Sequence, residues 1–199
     1  MKPFPLQTPR LVLREFRPED EEAARSYASD PEITQHVAWG PDDLATNRAV
    51  VDASSDDQEK WPRESVPLAV ELQPEGRIIG QTGFSSIDFD TLTGIFGYVL
   101  HRDHWGNGYE TELVTALLEF GFETLALHRI VAECFADAEH SRTVLEKIGM
   151  RCEAHYEQSA RKEGEWHDTY TYALLCEDWH WLRATGRVDT GNVEAEPAA

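Results

Sequence analysis

The sequence predicts an α/β protein in which a mixed β-sheet is flanked by helices. The expected order is strand, two helices, three strands, helix, strand, helix, two strands. Three observations carry that prediction. Short β-rich runs alternate with stretches of helical periodicity. Hydrophobic residues make up 41% of 199 positions, enough to fill one compact core. One β-rich run also leads through a two-glycine loop straight into a helix between residues 100 and 109.

Leu11, Val12 and Leu13, with Arg14 and Phe16, read as the first strand. Pro18, Glu19 and Asp20 open a helix, because proline and acids both suit a first helical turn. Asp30-Pro31 breaks that helix near residue 29. Residues 32–41 read as loop, and 42–54 as a second helix entered through Asp42-Asp43, followed by a polar loop to residue 65. Runs 66–72, 77–87 and 94–100 read as an antiparallel meander, with a turn at Pro74-Glu75-Gly76. The helix expected over 108–125 carries two apolar stripes, one through Leu113 and Leu117 and one through Val114 and Leu118. Such a helix is covered on more than one side. Residues 129–135 read as strand, and 141–148 as a helix stopped by Gly149. Runs 151–160 and 166–175 read as strands around Glu163-Gly164, and 177–185 as a short helix. We expect a single domain over residues 6–182 and a mobile tail over 186–199.

Charge narrows the function. Eighteen Lys and Arg face 37 Asp and Glu, a formal charge of −19. Nucleic acid is excluded as a partner, since a phosphate backbone needs a basic footprint. A membrane partner is not expected, as no apolar run spans a bilayer and the first residues lack a signal-peptide core. Cys134, Cys152 and Cys176 are an odd count without a CxxC pair, which fits free thiols and a cytoplasmic location. The acidic surface mildly favours a cationic substrate.

The chemistry concentrates at Leu100-His101-Arg102-Asp103-His104-Trp105-Gly106-Asn107-Gly108-Tyr109-Glu110-Thr111. A strand–glycine loop–helix start points unpaired N–H groups and the positive dipole end at one spot, and glycine lets backbone approach a ligand closely. The expectation is a site for phosphate or pyrophosphate. It is not a dinucleotide fingerprint, because Thr111 stands at the third glycine position, and no Gly-Lys-Ser/Thr follows. His101, Asp103 and His104 offer no clear third ligand, so no metal is expected.

Trp105-Gly106-Asn107-Gly108-Tyr109-x-Thr111-Glu112 resembles the coenzyme-A loop of the GNAT acetyltransferases, in the subgroup similar to RimJ and RimL. Thr8-Pro9-Arg10-Leu11, the Ser141–Met150 stretch, and Gly164-x-Trp166-x-Asp168 match other segments of that family in order. The resemblance implies a GNAT-type fold in which two strands splay apart. It implies acetyl-coenzyme A, or another acyl-coenzyme A, as co-substrate and no metal. Pantetheine would lie on the edge near Val99 and Leu100, whose main-chain N–H would polarise the thioester. Pyrophosphate would sit on N–H groups of Trp105, Gly106, Asn107, Gly108, Tyr109, Glu110 and Thr111, helped by Arg102 and Arg142, with His104 and Lys147 as further cations. Ser141 would support protonation of the leaving thiolate. His36 and Trp39 with Gln35, and Trp166 with Asp168, would face the acceptor, an amine on a small molecule or a protein N-terminus. Tyr98, Tyr170 and Tyr172 are further phenols, and Glu71, Asp88 and His104 are candidate bases. A homodimer through the C-terminal strands is compatible with the sequence but not fixed by it.

Three positions depart from the family pattern. Glu110 replaces a small residue, Ala138 replaces an asparagine that holds pantetheine, and Ile95 replaces a frequent glutamate. They motivate a second reading, a catalytically weakened binding module with altered or lost coenzyme A binding. Glu110 would point to solvent, occupy the anion site or repel pyrophosphate.

Overall fold

In the computed structural model the described residues are 4–41, Val51, 61–188 and the backbone of 194–195. Among the described residues nine strands form one sheet, ordered β7-β8-β6-β5-β4-β3-β2-β1-β9. They are β1 (Leu6–Gln7), β2 (Leu11–Arg14), β3 (Val66–Leu72), β4 (Arg77–Asp88), β5 (Thr93–Leu100), β6 (Arg129–Phe135), β7 (Arg151–Lys162), β8 (Glu165–Leu175) and β9 (Glu194–Ala195). The helices whose bounds lie among the described residues are α1 (Glu21–Ala28), α2 (Pro31–Thr34), α3 (Tyr109–Glu119), α4 (Glu139–Lys147) and α5 (Cys176–Ala184). The mixed α/β fold matches the expectation: β2 to β5 are antiparallel neighbours, and β5 pairs with β6 in parallel.

Helices cover both faces of the sheet. On one face Leu113, Leu117, Phe120 and Trp179 join sheet residues such as Leu68, Phe84 and Ile130 in the larger core. On the other, Tyr27 and Ile33 of α1 and α2 meet Phe16, Ala69 and Val99. Each large apolar side chain fully buried in this way contributes about 1.5–3 kcal/mol. The two stripes of α3 explain its burial, and the helix widens into a π-helical turn at Phe120–Thr124. Beside this core, Arg14 is buried in a bidentate pair with Asp20 (2.7 and 2.8 Å), and its Nε donates to Glu71 at 2.7 Å.

One expectation differs from what is observed. The loop expected from residue 32 begins with the helical turn α2, because Asp30 caps it through Glu32 N at 2.9 Å and Pro31 fills its first position. Of the expected tail, residues 186–188 and the backbone of 194–195 are described: Val188 is buried, and Glu194–Ala195 pair with Leu6–Gln7. The expected helix over 42–54 lies outside the described residues except at Val51, which is helical and buried. No helix among the described residues is long and apolar enough to cross a membrane.

Candidate active site

The site begins where two parallel strands part. β5 and β6 pair only from Thr93↔Arg129 to Phe96↔Ala132. Beyond that point Gly97 to Leu100 pair only with β4, and Glu133 to Phe135 only with β8. The inner edges of both strands are left open over a wedge. Leu100 lies opposite Gly80 while His101 N donates to Ile79 O at 2.7 Å, so Leu100 is a non-hydrogen-bonded position of the β4 ladder. Its N–H and C=O therefore face the wedge, as do those of Tyr98. Val99 presents its backbone to β4 instead, which removes its N–H from the two sequence candidates.

Two chambers fill the wedge, one of about 390 Å³ and one of about 280 Å³. They share His36, Tyr98, Val99 and Ser141 as a common wall. The first is largely apolar, with Phe16, Trp39, Pro67 and Phe96, and with Glu133 and Cys134 as its other titratable groups. Burial pushes the Cys134 thiol up to about 11, against the pull of Arg142, so it stays neutral. The second chamber runs along Leu100 and Trp105 to the start of α4 at Ala138. The Tyr98 phenol is held above its ordinary pKa by burial, while the nearby Ser141 hydroxyl pulls the other way. It keeps its proton at neutral pH.

The glycine loop closes the second chamber toward α3. Gly106 and Gly108 have φ of 72° and 79°, the left-handed region that glycine alone enters without strain. A Cβ placed on Gly106 would have no atom within 4 Å, so the space above it is open. Trp105 Nε1 donates to Leu100 O at 2.9 Å and Asn107 Nδ2 to His104 O at 3.1 Å, which ties the loop to the strand end. Below the loop, Glu112 accepts from Thr8 Oγ1 (2.5 Å), Arg10 N (2.8 Å) and Arg10 Nε (2.7 Å). Arg10 also donates to Asn107 O at 2.9 Å and lies over the Tyr109 ring at 4.4 Å. Sequence reasoning noted Thr8, Arg10 and Glu112 without pairing them, because Arg10 and Glu112 stand 102 positions apart and meet only in the fold.

Several candidates stand elsewhere. Arg102 is engaged by Glu32 and, at 3.3 Å, by Asp30, so it bridges to α2. Arg142 stacks over Tyr170 at 4.8 Å and donates to Ala136 O at 3.4 Å. Neither is an uncommitted cation beside the loop. His104 is held below its ordinary pKa, mainly by burial and then by Arg77 at 3.2 Å, and is neutral. Trp166 is 59% exposed beside Arg161 and lines neither chamber. Asp168 accepts from Gln158 N at 2.8 Å and faces His155 at 3.1 Å on the outer hairpin. Of the base candidates, Glu71 is bound to Arg14, Asp88 caps the β4–β5 turn through Asp90 N and Thr91 N, and His104 lies outside both chambers. Tyr172 donates to Glu146 at 2.7 Å, and Gln35 lines an outer hollow.

Glu110 does not point to solvent. It is 3% exposed and lines the second chamber, where its Oε1 lies 3.4 Å from His140 Nε2. Among the described residues no cluster of three His, Cys, Asp or Glu is placed to hold a metal.

Comparison with known proteins bears on these features. A family model described as an acetyltransferase (GNAT) domain matches residues 10–151. The uncharacterized N-acetyltransferase YnaD of Bacillus subtilis is 34% identical over 176 residues, covering 88% of this chain and 99% of that protein. The alanine N-acetyltransferase of ribosomal protein uS5 from Escherichia coli is 27% identical over 106 residues, 53% of this chain and 55% of that protein. A GNAT-family acetyltransferase structure from Bacillus anthracis superposes with a TM-score of 0.77 at 29% identity, covering 87% of this chain and 99% of that one.

Proposed function

This chain belongs to the GNAT acetyltransferase family, and we propose that it moves an acetyl group from acetyl-coenzyme A onto a primary amine by direct attack. The observation that carries the reading is the open β5 edge, Tyr98 to Leu100, leading into an empty-faced glycine bend at a helix start. An extended pantetheine arm adds to such an edge as a strand would. Its diphosphate meets the unpaired N–H groups at the start of α3. The thioester then reaches the wall common to both chambers, and the amine enters through the first.

The nitrogen lone pair forms the new C–N bond, and the carbonyl oxygen gains charge facing the Leu100 N–H. Collapse breaks the C–S bond. The thiolate takes a proton from the Ser141–Tyr98 pair, and the ammonium proton passes to His36, whose ring lines both chambers. The apolar first chamber with Glu133 suits an amine on a partly apolar body. A protein N-terminus fits, as in the relative named for ribosomal protein uS5, and a small-molecule amine fits as well.

A second reading is favoured by Glu110, since with Asp137 and Glu139 it lines the chamber meant for a polyanion. Calorimetric titration with coenzyme A decides between the two. Micromolar binding by the wild type, with acetylation of an alanine-terminated peptide or of spermidine, supports the transferase. Binding by Glu110→Ala alone would establish the weakened module.

A further inference from the structure

The hairpin of β7 and β8 stands at the far edge of the sheet, largely exposed along β7. Its tip is a two-residue turn, Glu163 and Gly164, with φ of 51° and 93°. Both residues are left-handed, the geometry that lets a tight hairpin follow the twist of its strands. Lys162 is the last residue before that turn and pairs with Glu165. Its ammonium donates to three main-chain carbonyls: Thr34 O at 2.5 Å, Val37 O at 2.8 Å and Trp39 O at 2.8 Å. An ammonium carries three N–H donors, enough to serve all three carbonyls.

All three carbonyls belong to one short segment, the end of α2 and the loop after it. The opposite side of that segment is the wall of the active site. His36, Val37 and Trp39 line the first chamber, and His36 also reaches the second. Lys162 itself lines neither; it sits in an outer hollow with Thr34 and Gln35. The loop is compact on this side. Gly40 has φ 69°, and a Cβ there would come within 2.7 Å of the Thr34 methyl. Three carbonyls turned toward one point would repel one another without a cation among them.

We infer that Lys162 is a positioning residue that holds the acceptor loop in its binding shape, so the outer hairpin sets amine recognition without touching the amine. The acceptor part of this inference rests on the acyl-transfer reading above; the clasp does not. With Lys162 in place, Trp39 and His36 are presented to the chamber as a fixed wall. Without it, the carbonyls must turn to water and the wall loses its shape.

The test uses the full chain as wild type, Lys162→Met and Lys162→Arg. Hydrogen exchange of amides 35–39, read by mass spectrometry, should accelerate at least about tenfold in Lys162→Met, with amides of β3 and β4 unchanged. Lys162→Arg should fall between, because a planar fork keeps the charge but fits a three-carbonyl cage poorly. In acetyl transfer to spermidine or to an alanine-terminated peptide, KM for the amine should rise about tenfold in Lys162→Met, with a smaller fall in kcat because His36 sits on the same loop. Calorimetric affinity for coenzyme A should not move. Unchanged exchange at 35–39 would overturn the clasp, and a fall in kcat at constant amine KM would overturn its role in recognition. If neither amine is acetylated by the wild type, the acceptor reading fails, and the exchange result still decides the clasp.

Discussion

Ser141 and Tyr98 stand on the wall that both chambers share, so a change there should alter chemistry and spare binding. Ser141→Ala is expected to lower kcat by about a hundredfold, the scale of one proton-transfer partner, with coenzyme A affinity within about twofold. A variant with wild-type kcat would remove Ser141 from the mechanism. His36→Gln should lower kcat/KM by about a hundredfold, since the ring that accepts the amine proton is gone. Ser141, Leu100 and His36 could be placed from the sequence because they sit at fixed offsets from strand and helix ends. Arg102, Arg142 and Trp166 could not. A long side chain reaches in any direction, and its partner (Glu32, Tyr170 or Arg161) is a tertiary outcome. Glu110 shows the same limit from the other side. Its polarity left solvent and the anion site both open, while its helical position turns it inward beside His140.

At the scale of elements, the glycine loop is stiffened by a brace that crosses the sequence. Glu112, in the first turn of α3, gathers Thr8 and Arg10 from the β1–β2 connection. Glu112→Ala leaves the Arg10 backbone N–H and the Thr8 hydroxyl without this partner. We expect a stability loss of about 1–3 kcal/mol by urea denaturation. Coenzyme A affinity should fall about tenfold, as the N–H groups around Gly106 lose their common orientation. Lost stability with unchanged affinity would mean that the brace serves the fold alone. Most elements were legible because their signals are local: the turn at Pro74-Glu75-Gly76 between two β-rich runs, two stripes in α3, Gly149 after α4. Asp30-Pro31 was ambiguous for a physical reason, since the same dipeptide ends one helix and caps the next. β9 was not legible, because two residues carry no periodicity and gain their ladder only once β1 is in place.

The whole molecule sets one further constraint, and it gives a prediction of unusual sign. The chain carries a formal charge of −19, and its cofactor, on the reading above, is a polyanion. Arg102 and Arg142 are committed elsewhere, and Glu110, Asp137 and Glu139 line the second chamber. With these cations committed, attraction on this reading comes mainly from main-chain N–H groups at the loop and the two helix starts, which act over a few ångströms, with His36 and His140 as basic side chains lining that chamber. Repulsion comes from the whole surface and acts over the Debye length, about 10 Å at 0.1 M salt. Added salt screens the second far more than the first. Association of coenzyme A should accordingly quicken by about threefold between 20 and 300 mM sodium chloride, with little change in dissociation. Stopped-flow binding over that range measures it directly. A site built on lysines and arginines would show the opposite slope, so an association rate that falls with salt would mean that cations, not backbone amides, receive the phosphates. Sequence composition supplied the charge, and the glycine bend at the start of α3 shows why a protein so acidic keeps a place for an anion. The bend exposes peptide dipoles, whose attraction does not depend on net charge.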